Sequence, residues 1–80
     1  MAQLPILSGK QIIKILKKIG YLESRQKGSH IRLECAERRP VTVPNYKSVD
    51  RSLLMKILRQ TKLTSDEFIA LAKNKRLSLV

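Results

Sequence analysis

Histidine is the side chain whose charge changes close to neutral pH, so it can both accept and release a proton there. The 80-residue chain has one, His30, at the end of the run Arg25-Gln26-Lys27-Gly28-Ser29-His30 and two residues before Arg32. A proton-transfer group set among Arg25, Lys27 and Arg32 suggests work on a polyanion, either binding alone or cleavage of a phosphodiester such as that of RNA. The imidazole can take the proton of a ribose 2′-hydroxyl while the cations offset the charge that develops on the phosphorane. Gly28 and Ser29 add backbone amides where a missing side chain lets a phosphate approach, and Ser29 adds a hydroxyl. No second proton-transfer group is evident nearby. Glu34 lies four residues further along, which leaves water, a tyrosine or a histidine of another subunit to protonate the leaving 5′ oxygen.

The charge of the whole chain agrees with such a target. The formal net charge is +11; residues 1–40 hold nine Lys/Arg and three acids (+6), and residues 41–80 hold eight and three (+5). This is a basic domain, not a basic tail, and it attracts polyanions in a salt-dependent way. Eighty residues make a single domain, 1–80, with a thin core expected between about residues 8 and 72. Cys35 is the lone cysteine, which rules out an intramolecular disulfide, and one Cys with one His cannot build a zinc cage. The chain shows no carboxylate cluster suited to magnesium. Neither a metal nor a cofactor is expected. No apolar run approaches the ~18 residues of a membrane span, and Met1–Leu7 lacks a signal-peptide core, so the expected compartment is the cytoplasm.

These side chains need elements to position them. Ser8 with Gln11 forms a capping-box pattern, and Ile12, Ile15, Leu16 and Ile19 follow at helical spacing, with Ile13 widening the stripe. Lys10, Lys14, Lys17 and Lys18 lie off that stripe, and Gly20 suits a left-handed helix end. Tyr21–Arg25 reads as a first strand. Ser29–Cys35 alternates, with Ile31, Leu33 and Cys35 on one side and His30, Arg32 and Glu34 on the other. Ala36-Glu37-Arg38 reads as a turn and Arg39–Val43 as the partner strand, Val41 and Val43 inward and Thr42 outward. Pro40 and Pro44 suit an edge and a strand end. A polar loop, Asn45–Asp50, precedes a helix over about Arg51–Thr61 capped by Ser48 or Asp50, with Leu54, Ile57 and Leu58 buried. Thr64-Ser65-Asp66-Glu67 opens a short third helix with Phe68, Leu71 and Ala72 on its apolar side. The tail 73–80 has no clear period, although Leu77, Leu79 and Val80 offer apolar contacts.

The fold class is therefore α+β: a helix, a three-stranded antiparallel meander, a helix and a short helix, with the helices on one sheet face. His30, Arg32 and Thr42 share the other face. Tyr21, Tyr46 and Phe68 are assigned to core or rim, which leaves too few aromatics on the sheet for base stacking of single strands.

Gly20-Tyr21, Arg25-Gln26-Lys27-Gly28-Ser29-His30, Val41-Thr42-Val43-Pro44, and Leu54…Ile57-Leu58-Arg59-Gln60 followed by Leu63-Thr64…Glu67-Phe68 resemble the HicA toxin family, also called YcfA-like. The resemblance runs in order from about Ser8 to Leu71. It implies a small fold like the double-stranded-RNA-binding domain and metal-independent cleavage of mRNA by an endoribonuclease. It also implies a HicB-type antitoxin that covers the site in a higher assembly, and a catalytic histidine at His30. Many relatives carry a second histidine just after the strand-ending proline, where this chain has Asn45. The loop before the second helix usually reads like Lys-Pro/Lys-Gly-Thr-Leu in relatives, where this chain has Asp50-Arg51-Ser52-Leu53. Two other readings fit the same residues: a non-catalytic module that grips an A-form RNA helix, for which His30 is dispensable, and a basic adaptor for an acidic protein.

Overall fold

The computed structural model describes residues 4–73. Their order is α1 (Gly9–Lys17), β1 (Leu22–Lys27), β2 (His30–Cys35), β3 (Arg38–Pro44), α2 (Arg51–Thr61) and α3 (Ser65–Lys73). Residues 74–80, with Leu77, Leu79 and Val80, lie outside the described residues. The strands form one antiparallel sheet in the order β1-β2-β3. This is the expected α+β arrangement of the double-stranded-RNA-binding-domain type.

Each helix ends where local chemistry dictates. At α1 the Ser8 hydroxyl accepts from the Gln11 amide (3.1 Å) and the Gln11 side chain accepts from the Ser8 amide (2.9 Å), a complete capping box. At its other end the Gly20 amide donates to the Lys17 carbonyl and the Tyr21 amide to the Leu16 carbonyl. With Gly20 at φ 106°, these are the two bonds of a Schellman ending. Asp50 caps α2 through the Leu53 amide (2.9 Å), and Lys62 closes it in the left-handed conformation. Thr64 and Glu67 reciprocate at α3.

The core lies between the helices and one sheet face. Ile12, Ile13, Ile15 and Leu16 of α1, Leu54, Ile57 and Leu58 of α2, and Phe68 of α3 meet Ile31, Leu33, Val41 and Val43 of β2 and β3. Tyr21 is also fully buried, and its hydroxyl donates to the Arg39 carbonyl (2.8 Å). By contrast, all six residues of β1 are exposed. The sheet therefore projects past its helical cover on the β1 side.

The strand boundaries differ from those expected. β1 runs Leu22–Lys27, not Tyr21–Arg25, because Lys27 pairs with His30 and only Gly28-Ser29 remains for the turn. Gly28 has φ 60° with open space around it, so its need is conformational, as at the first position of a type II′ hairpin turn. Arg38 belongs to β3, not to the turn, since it pairs with Cys35. Between the Leu33–Val41 and Cys35–Arg38 pairs β3 has one residue more than β2. That bulge holds Pro40, which cannot donate to a ladder.

Gly9 has a different reason to be glycine. A Cβ there would overlap the Pro44 carbonyl oxygen and lie 2.9 Å from its carbon. The start of α1 thus rests backbone to backbone on the end of β3, and the Gly9 amide donates to the Tyr46 carbonyl (2.9 Å). Replacing Gly9 with Ala should destabilise the domain by about 1–3 kcal/mol, the usual cost of overpacking; urea denaturation measures it, and an unchanged midpoint would refute the contact. A second test concerns Tyr21. Burial raises its pKa, Cys35 adds to the rise and Arg38 opposes it. The folded state then holds a proton that the unfolded chain releases near pH 10, so stability must fall as pH climbs through that range. Tyr21→Phe should cost about 1 kcal/mol at neutral pH by loss of the hydrogen bond and flatten the alkaline decline; denaturation curves at both pH values would show it.

Candidate active site

The face of the sheet opposite the helices is built by period-two alternation. With Ile31 and Leu33 inward, His30, Arg32 and Glu34 must point outward, and β2 alternates between exposed or half-exposed and buried accordingly. The registers bring two rows together on that outer face. Lys27 stands opposite His30, which stands opposite Pro44; Arg25 stands opposite Arg32, which stands opposite Thr42. Directly opposed residues have Cβ atoms ~5 Å apart, so Arg25, Lys27, His30 and Arg32 form one contiguous cationic patch. His30 is exposed. Of the six expected site residues, these four share the face and the other two, Gly28 and Ser29, make the turn at its end.

A bulge in β1 does the sorting. Glu23 pairs with Leu33 and Arg25 with Arg32, which leaves Ser24 as the extra residue. Its hydroxyl donates to the Arg32 carbonyl (3.3 Å). Without the extra residue, Glu23, Arg25 and Lys27 would share one face. With it, Glu23 and Gln26 pair with the inward residues Leu33 and Ile31, and Glu23 forms an ion pair with Lys17 of α1 (3.1 Å). The carboxylate is removed from the face that holds Arg25 and Lys27. Sequence reasoning missed this bulge, whose signal is the failure of Leu22–Lys27 to alternate.

The turn is held from two sides. The Asn45 amide donates to the Ser29 carbonyl (2.6 Å), and the Gln26 side chain donates to the Gly28 carbonyl (2.9 Å). Both carbonyl oxygens, which would repel a phosphate, are thereby turned toward protein donors. Arg32 is partly neutralised by Glu34 (3.3 Å); Arg25 and Lys27 have no ion pair among the described residues. Among those residues no group of three His, Cys, Asp or Glu side chains could hold a metal. Of the aromatics, Tyr21 and Phe68 are core, while Tyr46 is exposed at the rim. No helix of the described residues is long and apolar enough to cross a membrane.

The family model described as "HicA toxin of bacterial toxin-antitoxin" matches residues 9–63, which span all three strands, α1, α2 and the candidate site. Among solved structures, a chain of a toxin–antitoxin complex from Streptococcus pneumoniae is 29% identical, with a TM-score of 0.64. The match covers 71% of this chain and 98% of that one. No match is found among curated proteins.

The opposed cations predict a conflict between stability and binding. Like charges directly across a ladder are destabilising, and salt screens them. Arg25→Thr should therefore leave stability unchanged or raise it by up to about 0.5 kcal/mol at low salt, while weakening the salt-dependent attraction for a polyanion such as RNA. Paired denaturation and binding titrations check this; loss of both together would mean that Arg25 is structural.

Proposed function

Because this chain belongs to the HicA toxin family, we propose that it is the toxin of a toxin–antitoxin pair and acts as an endoribonuclease on mRNA, with His30 as its proton-transfer group. One observation carries this reading: the lone imidazole is exposed on an open sheet face, directly opposite Lys27 and one register step from the Arg25–Arg32 pair. A histidine serving only the core would be buried. A surface serving only solubility would have no reason to oppose like charges.

In the proposed reaction neutral His30 accepts the proton of a ribose 2′-hydroxyl. The 2′ oxygen bonds to phosphorus, and the bond from phosphorus to the 5′ oxygen breaks. Arg25, Lys27 and Arg32 offset the negative charge that builds on the non-bridging oxygens, and the turn amides of Gly28 and Ser29 supply further donors. The leaving 5′ oxygen takes its proton from solvent, to which this face is open. Asn45 stands where many relatives carry a second histidine, and its side chain has no acid to give. None of these steps calls on a metal.

The partner is read from the same face. The similar chain from Streptococcus pneumoniae was solved in a toxin–antitoxin complex, which supports an antitoxin partner for this chain and a hetero-oligomer. We read that partner as HicB-type, neutralising the toxin by covering His30 and the cations around it.

His30→Ala should reduce cleavage by two orders of magnitude or more, the usual contribution of general acid–base catalysis, and abolish growth arrest. RNA and antitoxin binding should persist. EDTA should leave cleavage by the wild type unaffected. A purified His30→Ala protein that cuts as fast as wild type would end the catalytic assignment and favour a module that only binds RNA.

A further inference from the structure

The exposed side of α1 carries Lys10, Lys14 and Lys17, and the proposed cleavage reaction uses none of them. They line a groove of about 370 Å³ between α1 and the edge strand β1, with Glu23, Gln26 and Asn45 completing its walls. Buried Ile13 and Ile31 lie beneath it. The groove has two unlike ends. At one, Lys17 and Glu23 neutralise each other at 3.1 Å. At the other, Lys10 and Lys14 form no ion pair among the described residues; four residues apart, they occupy one helix face.

That uncompensated end adjoins the His30 face. Gln26 sits between Arg25 and Lys27 on β1, with its register on the inner side and theirs on the outer. Asn45 comes directly after Pro44, the residue paired with His30, and its amide holds the Ser29 carbonyl. The groove and the imidazole lie on opposite faces of the sheet, and the β1–β2 turn is the end around which a strand can pass from one to the other. Gly28, with nothing within 4 Å of where a Cβ would stand, leaves that crossing unobstructed.

We propose, resting on the nuclease reading, that the groove binds the phosphodiester backbone flanking the cleaved linkage, so that the substrate is a single RNA strand bent over the Gly28-Ser29 turn. Lys10 and Lys14 hold its phosphates, and Asn45 and Gln26 offer polar groups at the bend. The same chemistry argues against a duplex. An A-form helix is recognised as a rigid shape on one continuous surface; it cannot lie along both faces of a single edge strand.

The test uses the full chain carrying His30→Ala, so that binding is read whether or not the protein cuts RNA. Labelled single-stranded oligoribonucleotides of about 4 and about 12 nucleotides are titrated at several salt concentrations, with and without Lys10→Glu/Lys14→Glu. Affinity for the longer strand should fall tenfold or more, and its log–log salt slope should shrink by about 1.4, the share of two phosphates on a single strand. The shorter strand should change less than twofold. Equal loss at both lengths, no loss at all, or a duplex that binds as tightly and loses as much would overturn the proposal. Should the charge reversal unfold the protein, Lys10→Gln/Lys14→Gln gives the same length-dependent comparison. Cleavage of the longer strand by wild type tests the nuclease reading separately: groove-dependent binding without cleavage sinks that reading alone.

Discussion

The structure depends on one close approach, that of Gly9 to the carbonyl of Pro44. No other residue type has a backbone that can come so near. The contact sets the first turn of α1 on the end of β3, and the next residue, Asn45, fastens the β1–β2 turn through the Ser29 carbonyl. Three segments distant in sequence thus meet at one corner. His30 begins its strand at that corner, so the imidazole inherits its position from backbone packing more than from any side-chain partner. A small domain has a thin core, and locating a reactive group by backbone contacts spares that core from having to hold it.

Electrostatics is governed by the same layout. The helices bury one sheet face and supply its apolar partners, which leaves the other face to be decided by charge alone. There the chain sets Arg25 against Arg32, like charges that oppose folding, and places Lys27 beside His30. The Ser24 bulge sharpens this arrangement by turning Glu23 inward to Lys17. A net charge of +11 on 80 residues spreads the repulsion over the whole surface, yet the bulge concentrates uncompensated charge beside the imidazole.

Much of this was legible in the sequence where chemistry is local. Ser8 with Gln11, Gly20 after the α1 stripe, and Thr64 with Glu67 each announce a helix end, because capping is decided within a few residues. Ile31 and Leu33 fix the orientation of His30, since side chains on a strand alternate without exception in the absence of a bulge. The bulges themselves were not legible. Ser24 and Pro40 break the alternation in a way that a run of exposed or charged residues conceals, and each shifted a strand boundary or reversed a face. Gly9 was hidden for another reason: its neighbour lies 35 positions along the chain, and nothing in a helix start requires glycine. Lys62 is left-handed without being glycine; that helix end is dictated by the next residue, Leu63, which turns into the core.

An imidazole on an open face works at a disadvantage, because charge–charge stabilisation is weakest where water is plentiful. Such a site gains little from burying its substrate. It must therefore rely on holding the reacting linkage in line, which is where an extended grip on the flanking backbone matters: binding energy taken up far from the cleaved bond can fix the geometry at it. An open face is also what one protein partner can cover completely. On the proposed reading, the exposure that would limit the rate of the chemistry is the same property that would let an antitoxin silence it, by occupying a surface that the described fold leaves open.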